Sequence, residues 1–270
     1  RYCCTFLDDF SKLSVVSTVA HKSDVIDEVK HVIALMENQT GRKVKVVRSD
    51  RGGEYVNNEL CAFFKHKGIH HQLTAAYTPQ QNGSAERLNR TLNDRVRAML
   101  IEAGCDFDMW AEAMHNANCV RNRCAVSGRD KTPWELYMGE VPDLAHLRVF
   151  GSRAYVKVPD SCRRKLDPKS EPGMFVGYDY QSKAYRVLLD SSRHVVVSRD
   201  VVVDEQVMPA CSDRVRAESA KPAVVIDVAV APVGDDADDD ANNNVGGVMD
   251  DQPVLSDEHP DSSRISSSSS

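Results

Sequence analysis

Apolar residues along the first part of the chain follow first the period of strands and then the period of a helix. Two short runs rich in β-branched and aromatic residues, at 2–8 and 13–19, flank the turn-like DFSK and predict an antiparallel hairpin. A helix capped by Ser23 and ended by Gly41 should follow. Its apolar residues recur at the spacing of one helical face: Val25, Val29, Val32, Ile33 and either Leu35 or Met36.

The same alternation continues to about residue 140. KVKVVRSD predicts a strand ending at Asp50, and NNELCAFFKHKG predicts a helix ended by Gly68. IHHQLTA predicts another strand, YTPQQNGSA has the residues of a turn, and two long helices should occupy 86–104 and 106–124. Strands interspersed with helices in this order predict an α/β domain at 1–140, a mixed sheet with flanking helices.

The pattern changes after KTPWELYMGEVP. RVFGSRAYVKV, GMFVGY, AYRVLLD and HVVVSRDVVVDE are closely spaced strand-like runs separated by Pro, Gly, Ser and Asp, which predict a small antiparallel β-barrel at 147–206. Residues 207–270 are rich in Ala, Asp, Asn, Gly and Ser. We expect this acidic, Ser-rich tail to be disordered, because its composition provides little apolar surface to bury.

Charge is unevenly distributed. Residues 204–270 hold 15 acids and 4 bases, a balance of −11, so residues 1–203 carry +5 of the net −6. A basic folded part with an acidic tail favours nucleic acid as a partner, although +5 over 203 residues is ordinary. Eight cysteines without a CxxC pair indicate reduced thiols. Without a signal peptide or a long apolar run, we expect a soluble intracellular protein with no membrane partner.

Two acids stand out as candidate metal ligands. Asp50 ends a predicted strand, and Glu86, 35 residues further on, opens a predicted helix. On a helical wheel Arg90, Asn93 and Arg97 fall within about 40° of Glu86, and the apolar residues of the helix fall on the opposite side. Each acid also has a structural interpretation. Glu86 could form an i,i+4 ion pair with Arg90, and Asp50 could belong to a strand-ending turn.

Several ordered motifs resemble those of copia-type retrotransposon integrases. They are RSDRGGEY followed by TPQQNGSAERLNRT, together with TFLDDFSK, KTPWELYMG and the strand-like runs after Leu147. The resemblance covers residues 1 to about 206. It implies a ribonuclease H-like core followed by an SH3-like barrel, with Asp50 and Glu86 as the second and third acids of a D,D-35-E triad. Such sites use two Mg²⁺ or Mn²⁺ ions about 4 Å apart.

The resemblance also implies that the first acid lies on a strand before Arg1. We therefore expect the chain to be a fragment of a Gag-Pol polyprotein, with an incomplete metal site and little activity alone. Asp8 and Asp9 are weaker candidates to replace that acid, because they match the second strand of the family and the turn after it.

Further expectations concern partners. The resemblance implies contact with element cDNA ends and target DNA through Arg90, Asn93, Asn82, Gln81 and Arg87, a homo-oligomeric assembly, and a nuclear location with a cytoplasmic particle stage. Two other basic runs are more often solvated surface than binding sites: Arg121, Arg123, Arg129 and Lys131, and Arg163, Arg164 and Lys165.

Other chemistries are less well supported. His66, His70, His71 and Cys61 lack the paired cysteines of a zinc module. Trp110 and Trp134 are interpreted as packing residues. Two alternative functions remain: a catalytically dead remnant that binds nucleic acid or partners, and a ribonuclease H-type nuclease. The QQNGSAER loop argues against the nuclease.

Overall fold

Two five-stranded β-sheets organise the chain in its computed structural model. The structure describes residues 2–53, 55–74 and 83–209, and the backbone of 224–232. None of the helices in these ranges has the length and apolar composition needed to cross a membrane.

The first sheet is mixed and has the order β2-β1-β10-β3-β4. Its strands are β1 (Tyr2–Asp8), β2 (Ser14–Val19), β3 (Val44–Ser49), β4 (His70–Leu73) and β10 (Val224–Pro232). The hairpin β1–β2 is antiparallel, β3 and β4 are parallel, and β10 runs parallel to β1 and antiparallel to β3. The predicted hairpin and mixed sheet are confirmed.

Five helices accompany this sheet: α1 (Val25–Thr40), α2 (Asn58–Lys67), α3 (Gly83–Glu102), α4 (Trp110–Arg123) and α5 (Pro133–Met138). Gly41 and Gly68 end α1 and α2 in the left-handed conformation, as the sequence predicts. The expected Ser23 cap is wrong, because a 3₁₀ turn at Lys22–Asp24 precedes α1 and makes Asp24 the N-cap residue.

Apolar side chains form a core on each face of the first sheet. On one face, α1 and α2 pack against β1 and β3 through residues that include Phe6, Ile33 and Val47. On the other face lie α3, α4 and residues of the second sheet, with Leu7 and Leu92 in the same cluster. All residues of β1 except Tyr2 are buried, as expected for a strand inside a sheet that is covered on both faces.

The second sheet is antiparallel and has the order β8-β7-β6-β5-β9. It comprises β5 (Arg153–Lys157), β6 (Ser170–Asp179), β7 (Ala184–Leu189), β8 (Val195–Ser198) and β9 (Val201–Asp204). Ala154, Phe175 and Val187 form its small core. All five strands lie within the 147–206 range that the sequence assigns to the small barrel.

The second sheet is joined to α3 and α4 by packing and by charge. Phe150, Met174 and Leu188 belong to the cluster that also contains Leu92. Arg186 of β7 donates two hydrogen bonds to the Glu112 carboxylate, at 2.8 and 2.5 Å. Gly151 has φ +89°, and a Cβ there would collide with Ala103 at the end of α3. The close approach of these two segments therefore requires glycine.

The disorder expected from residue 207 onward does not hold for Val224–Pro232. These nine residues form the middle strand of the first sheet. The prediction averaged composition over a long acidic segment and overlooked VVIDVAVAP, an apolar β-branched run of ordinary strand length. Of the remaining tail residues, all but 207–209 lie outside the described part of the chain.

Candidate active site

Asp50 directly follows Ser49, the last residue of β3. The side chain is exposed, and its Oδ1 accepts a hydrogen bond from the Gly52 amide at 2.8 Å. The turn interpretation is therefore correct.

Glu86 lies in the first turn of α3 and is exposed. The apolar side of this helix is buried as the wheel predicts, with Leu88, Leu92 and Val96 inside the core. Among the residues that the structure describes, Glu86 and Arg90 form no ion pair, whereas Arg97 contacts Asp94 at 3.2 Å. The simple i,i+4 pairing of Glu86 with Arg90 is thus wrong.

A buried hydrogen bond attaches α3 to the sheet near these acids. The Thr5 hydroxyl in the middle of β1 donates to Oδ1 of Asn89 at 3.0 Å. Asn89 lies three residues after Glu86, so it is a neighbour of Glu86 along the helix surface. Neither residue was identified from the sequence, because a Thr in a strand and an Asn in a helix are common at surface positions. The signal that could have found them is Asn89, a polar residue next to the apolar stripe.

Strand register relates Thr5 to Asp50. Thr5 pairs with position 227 of β10, and Val228 pairs with Ser49 of β3. One step further in the antiparallel register, position 227 is level with Asp50. The end of β3 and Thr5 are therefore close in height, on strands separated by β10. The bond from Thr5 to Asn89 brings the first turns of α3 to this height.

Asp8 and Asp9 are engaged in the β1–β2 turn. Asp8 is buried, and its Oδ2 accepts hydrogen bonds from the Ser11 amide and hydroxyl at 2.7 and 2.5 Å. Burial raises the pKa of Asp8. Asp9 is paired with Lys12 at 2.5 Å, and the hydrogen bond from Lys12 lowers its pKa. Asp8 pairs with Val230, and both acids have partners within the turn.

The residues expected to contact DNA lie partly in the described structure. Arg87 and Arg90 are exposed and Asn93 is half-buried, all on α3 beside Glu86. Arg87 donates a hydrogen bond to Ser84 at 3.4 Å. Gln81 and Asn82 lie outside the described residues, so their expected contribution stays a prediction.

The second basic run is mainly structural. Arg121 is half-buried, and burial lowers its pKa to about 10. Its guanidinium donates to the backbone carbonyl of Lys12, and that of Arg129 donates to the carbonyl of Phe10. Arg123 is buried and stacks on the Trp134 ring at 4.3 Å. These arginines hold the β1–β2 turn and α5 in place. Lys131, the remaining residue of the run, is exposed.

Arg163 of the third basic run and His71 have local partners. Arg163 is paired with Asp160, while Arg164 and Lys165 are exposed. Nε2 of His71 lies 2.8 Å from the Ser49 hydroxyl, and its ring packs against Phe64 at 4.9 Å. Burial lowers the pKa of His71.

Carboxylates suit the divalent ions that the sequence resemblance implies. The donors at Asp50 and Glu86 are oxygens, which Mg²⁺ and Mn²⁺ prefer over imidazole and thiolate. Within the described residues, no group of three or more His, Cys, Asp or Glu side chains is arranged as a metal site.

Comparisons with known proteins agree with the two-part architecture. The integrase core domain family matches residues 1–79, and the retroviral polymerase SH3-like domain family matches residues 152–216. The family that the motifs predict is thereby confirmed, and so is the order of its two parts.

Two plant proteins are similar in sequence to this chain. The retrovirus-related Pol polyprotein from transposon TNT 1-94 of Nicotiana tabacum is 38% identical over 214 residues, covering 79% of this chain and 16% of that protein. The corresponding polyprotein from transposon RE1 of Arabidopsis thaliana is 30% identical over 210 residues, 77% of this chain and 14% of that protein. The chain thus spans a small part of the length of these relatives.

A solved structure of the HTLV-2 integrase catalytic core domain in complex with magnesium is also similar. It is 19% identical with a TM-score of 0.38, and the match covers 48% of this chain and 80% of that one. The family matches and the plant relatives together identify the chain as belonging to the integrase region of copia-type retrotransposon Pol polyproteins.

Proposed function

We propose that the chain is the core and C-terminal part of an integrase that processes the 3′ ends of element cDNA and joins them to host DNA. Integrase cores belong to the polynucleotidyl transferases. In strand transfer, a 3′-hydroxyl of the element attacks a target phosphodiester, forms a new P–O bond and releases the target 3′-oxygen, which takes up a proton.

The observation that supports this proposal is the attachment of α3 to the sheet next to Glu86. Asp50 directly follows β3 and is exposed, and Glu86 is exposed in the first turn of α3, three residues before Asn89, whose side chain accepts the hydrogen bond from Thr5 of β1. Asp50 and Glu86 would hold Mg²⁺ or Mn²⁺, which when bound supply charge neutralisation at the phosphodiester and an activated oxygen nucleophile.

The exposed side of α3 would hold the DNA. Arg87 and Arg90 extend from the helix beside Glu86, and guanidinium groups bind phosphate oxygens with paired donors. Asn93 adds an amide at the margin of the same surface. This arrangement would position a phosphodiester next to the acid pair. By resemblance to the family we also propose a homo-oligomer that works in the nucleus after a cytoplasmic particle stage.

Little strand transfer is expected from this chain alone, because the side chains described by the structure offer two carboxylates and a two-metal centre needs a shared ligand. The direct test is therefore metal binding. Isothermal titration of the full chain with Mn²⁺ should give a binding enthalpy that is lost in Asp50→Asn and in Glu86→Gln. Asp94→Asn on the same helix should leave it unchanged, because Asp94 pairs with Arg97.

Equal Mn²⁺ binding by all of these variants would contradict the proposal. The alternative, a remnant that only binds nucleic acid, predicts DNA binding without measurable Mn²⁺ binding at the acid pair. Fluorescence anisotropy with a labelled duplex, measured with and without Mn²⁺, separates the two functions.

A further inference from the structure

Three arginines from separate segments gather positive charge beside the β1–β2 turn. Arg95 lies in the second half of α3, Arg121 lies in the last turn of α4, and Arg129 follows α4 in the chain. Arg121 and Arg129 donate to the backbone carbonyls of Lys12 and Phe10, which are two residues apart in that turn. Arg95 is near enough to Arg121 for the two charges to repel each other.

The nearby carboxylates do not balance this charge. In the part of the chain that the structure describes, none of the three arginines forms an ion pair. Asp9 is paired with Lys12 at 2.5 Å, and Asp8 accepts hydrogen bonds within the same turn. Asp94 of α3 contacts Arg97 at 3.2 Å. Each of these acids is therefore already engaged elsewhere.

Two of the three guanidinium groups also have unused donors. Nη1 of Arg95 is buried and has no hydrogen-bond partner among the described residues. Arg121 donates to those residues through Nη1, which binds Lys12, Ser14 at 3.0 Å and Asn122 at 3.1 Å, and its Nε and Nη2 bind none of them. A buried donor without a partner is costly, and a bound water or ion is an ordinary way to satisfy it.

The electrostatics of Arg121 point to an anion. Burial, followed by the charge of Arg95, lowers the pKa of Arg121 to about 10. Both groups are still charged at neutral pH, so two like charges are held together in a partly buried place. This is costly unless a negative group neutralises them. Phosphate suits two guanidinium groups, because its oxygens accept paired hydrogen bonds from their planar forks.

We infer that Arg95, Arg121 and Arg129 form an anion site that binds a phosphate group. Arg95 and Arg121 would supply the unused donors, and Arg129 would add a third charge. Nine residues separate Glu86 from Arg95, which places them about 180° apart on the helical wheel of α3. The site is therefore distinct from the acid pair and does not depend on the proposed function. Its phosphate can belong to a small polyphosphate or to a nucleic-acid backbone, since both present the same oxygens.

Binding of inorganic pyrophosphate to the full chain tests the inference. Isothermal titration at constant ionic strength should give at least a tenfold higher dissociation constant for Arg95→Gln than for the unchanged chain. The matched control is Arg97→Gln on the same helix, which removes a guanidinium that is already paired with Asp94. It should bind within twofold of the unchanged chain.

A second variant keeps the test decisive if Arg95→Gln fails to fold. Arg121→Lys retains a charge near the Lys12 carbonyl but loses the planar fork, so it should weaken pyrophosphate binding at least threefold. Urea denaturation of each variant checks that the fold is retained. Equal binding by the unchanged chain and both variants would overturn the inference, as would the absence of pyrophosphate binding by the unchanged chain.

A labelled DNA duplex identifies the source of the phosphate. If a DNA backbone phosphate occupies the site, pyrophosphate should compete with the duplex, and Arg95→Gln should weaken duplex binding more than Arg97→Gln does. If a small phosphate compound occupies it, saturating pyrophosphate should leave duplex binding unchanged at constant ionic strength. Either result supports the anion site, because each requires pyrophosphate binding that depends on Arg95.

Discussion

Replacing Thr5 by valine should destabilise the protein through the loss of its buried hydrogen bond to Asn89. Valine has nearly the shape of threonine, so the change leaves no cavity, but it removes the hydroxyl that donates to Asn89 at 3.0 Å. Both residues are buried, and Oδ1 of Asn89 would lose this donor. An unsatisfied buried acceptor costs about 1–3 kcal/mol. With a urea m-value of about 2 kcal/mol/M, the midpoint should fall by roughly 0.5–1.5 M.

Urea unfolding followed by tryptophan fluorescence measures this loss. The control is Thr18→Val on the neighbouring strand β2, where the side chain is exposed, and it should change stability by less than about 0.5 kcal/mol. A double-mutant cycle with Asn89→Ala isolates the pair, with an expected coupling of about 0.5–1.5 kcal/mol. If Thr5→Val is no more destabilising than Thr18→Val, the bond does not attach α3 to the sheet as argued.

Three further predictions concern binding, pH and packing. Arg90→Ala should weaken duplex binding and lower the slope of log K against log salt by about one. The control Arg97→Ala, which removes the partner of Asp94, should lower the slope less. Equal slopes for the two variants would contradict a phosphate contact at Arg90. Burial raises the pKa of Asp8 in the folded protein. The stability contributed by its neutral form is therefore fully present below the unfolded pKa of 3.8 and is lost as pH rises through the folded pKa. Asp8→Asn should therefore gain stability relative to the unchanged chain between pH 4 and 7 in urea titrations, and a constant difference would refute this. Leu92→Ala should lower the free energy of unfolding by about 2–5 kcal/mol in the same assay, because the Leu92 side chain on α3 is fully buried. A loss below about 1 kcal/mol would contradict this packing.

Local pattern predicted most of the fold. The β1–β2 hairpin, the helix ends at Gly41 and Gly68 and the buried stripe of α3 were all readable from residues close together in sequence. Each depends on local chemistry: turn residues, the left-handed glycine conformation and helical periodicity. The order of strands was not readable, because a strand as remote as β10 enters the first sheet through pairing that no local pattern encodes.

The sequence predicted only part of the candidate site, because local patterns do not encode contacts between residues far apart in sequence. Asp50 and Glu86 could be identified from their elements and spacing, but the bond between Thr5 and Asn89 joins residues 84 positions apart. The sequence also could not distinguish an arginine that stacks on Trp134, as Arg123 does, from one exposed to solvent, as Arg90 is. Burial decides between these roles, and burial is a property of the assembled fold.

The central claim is that Asp50 and Glu86 share a divalent ion. Crystals of the full chain soaked in Mn²⁺, with diffraction data collected at the manganese edge, test it directly. The account predicts an anomalous peak with oxygens of both carboxylates about 2.1 Å away, close to the ideal Mg²⁺ distance. A crystal with accessible carboxylates and no peak between them, or with Mn²⁺ held by either acid alone, would contradict it.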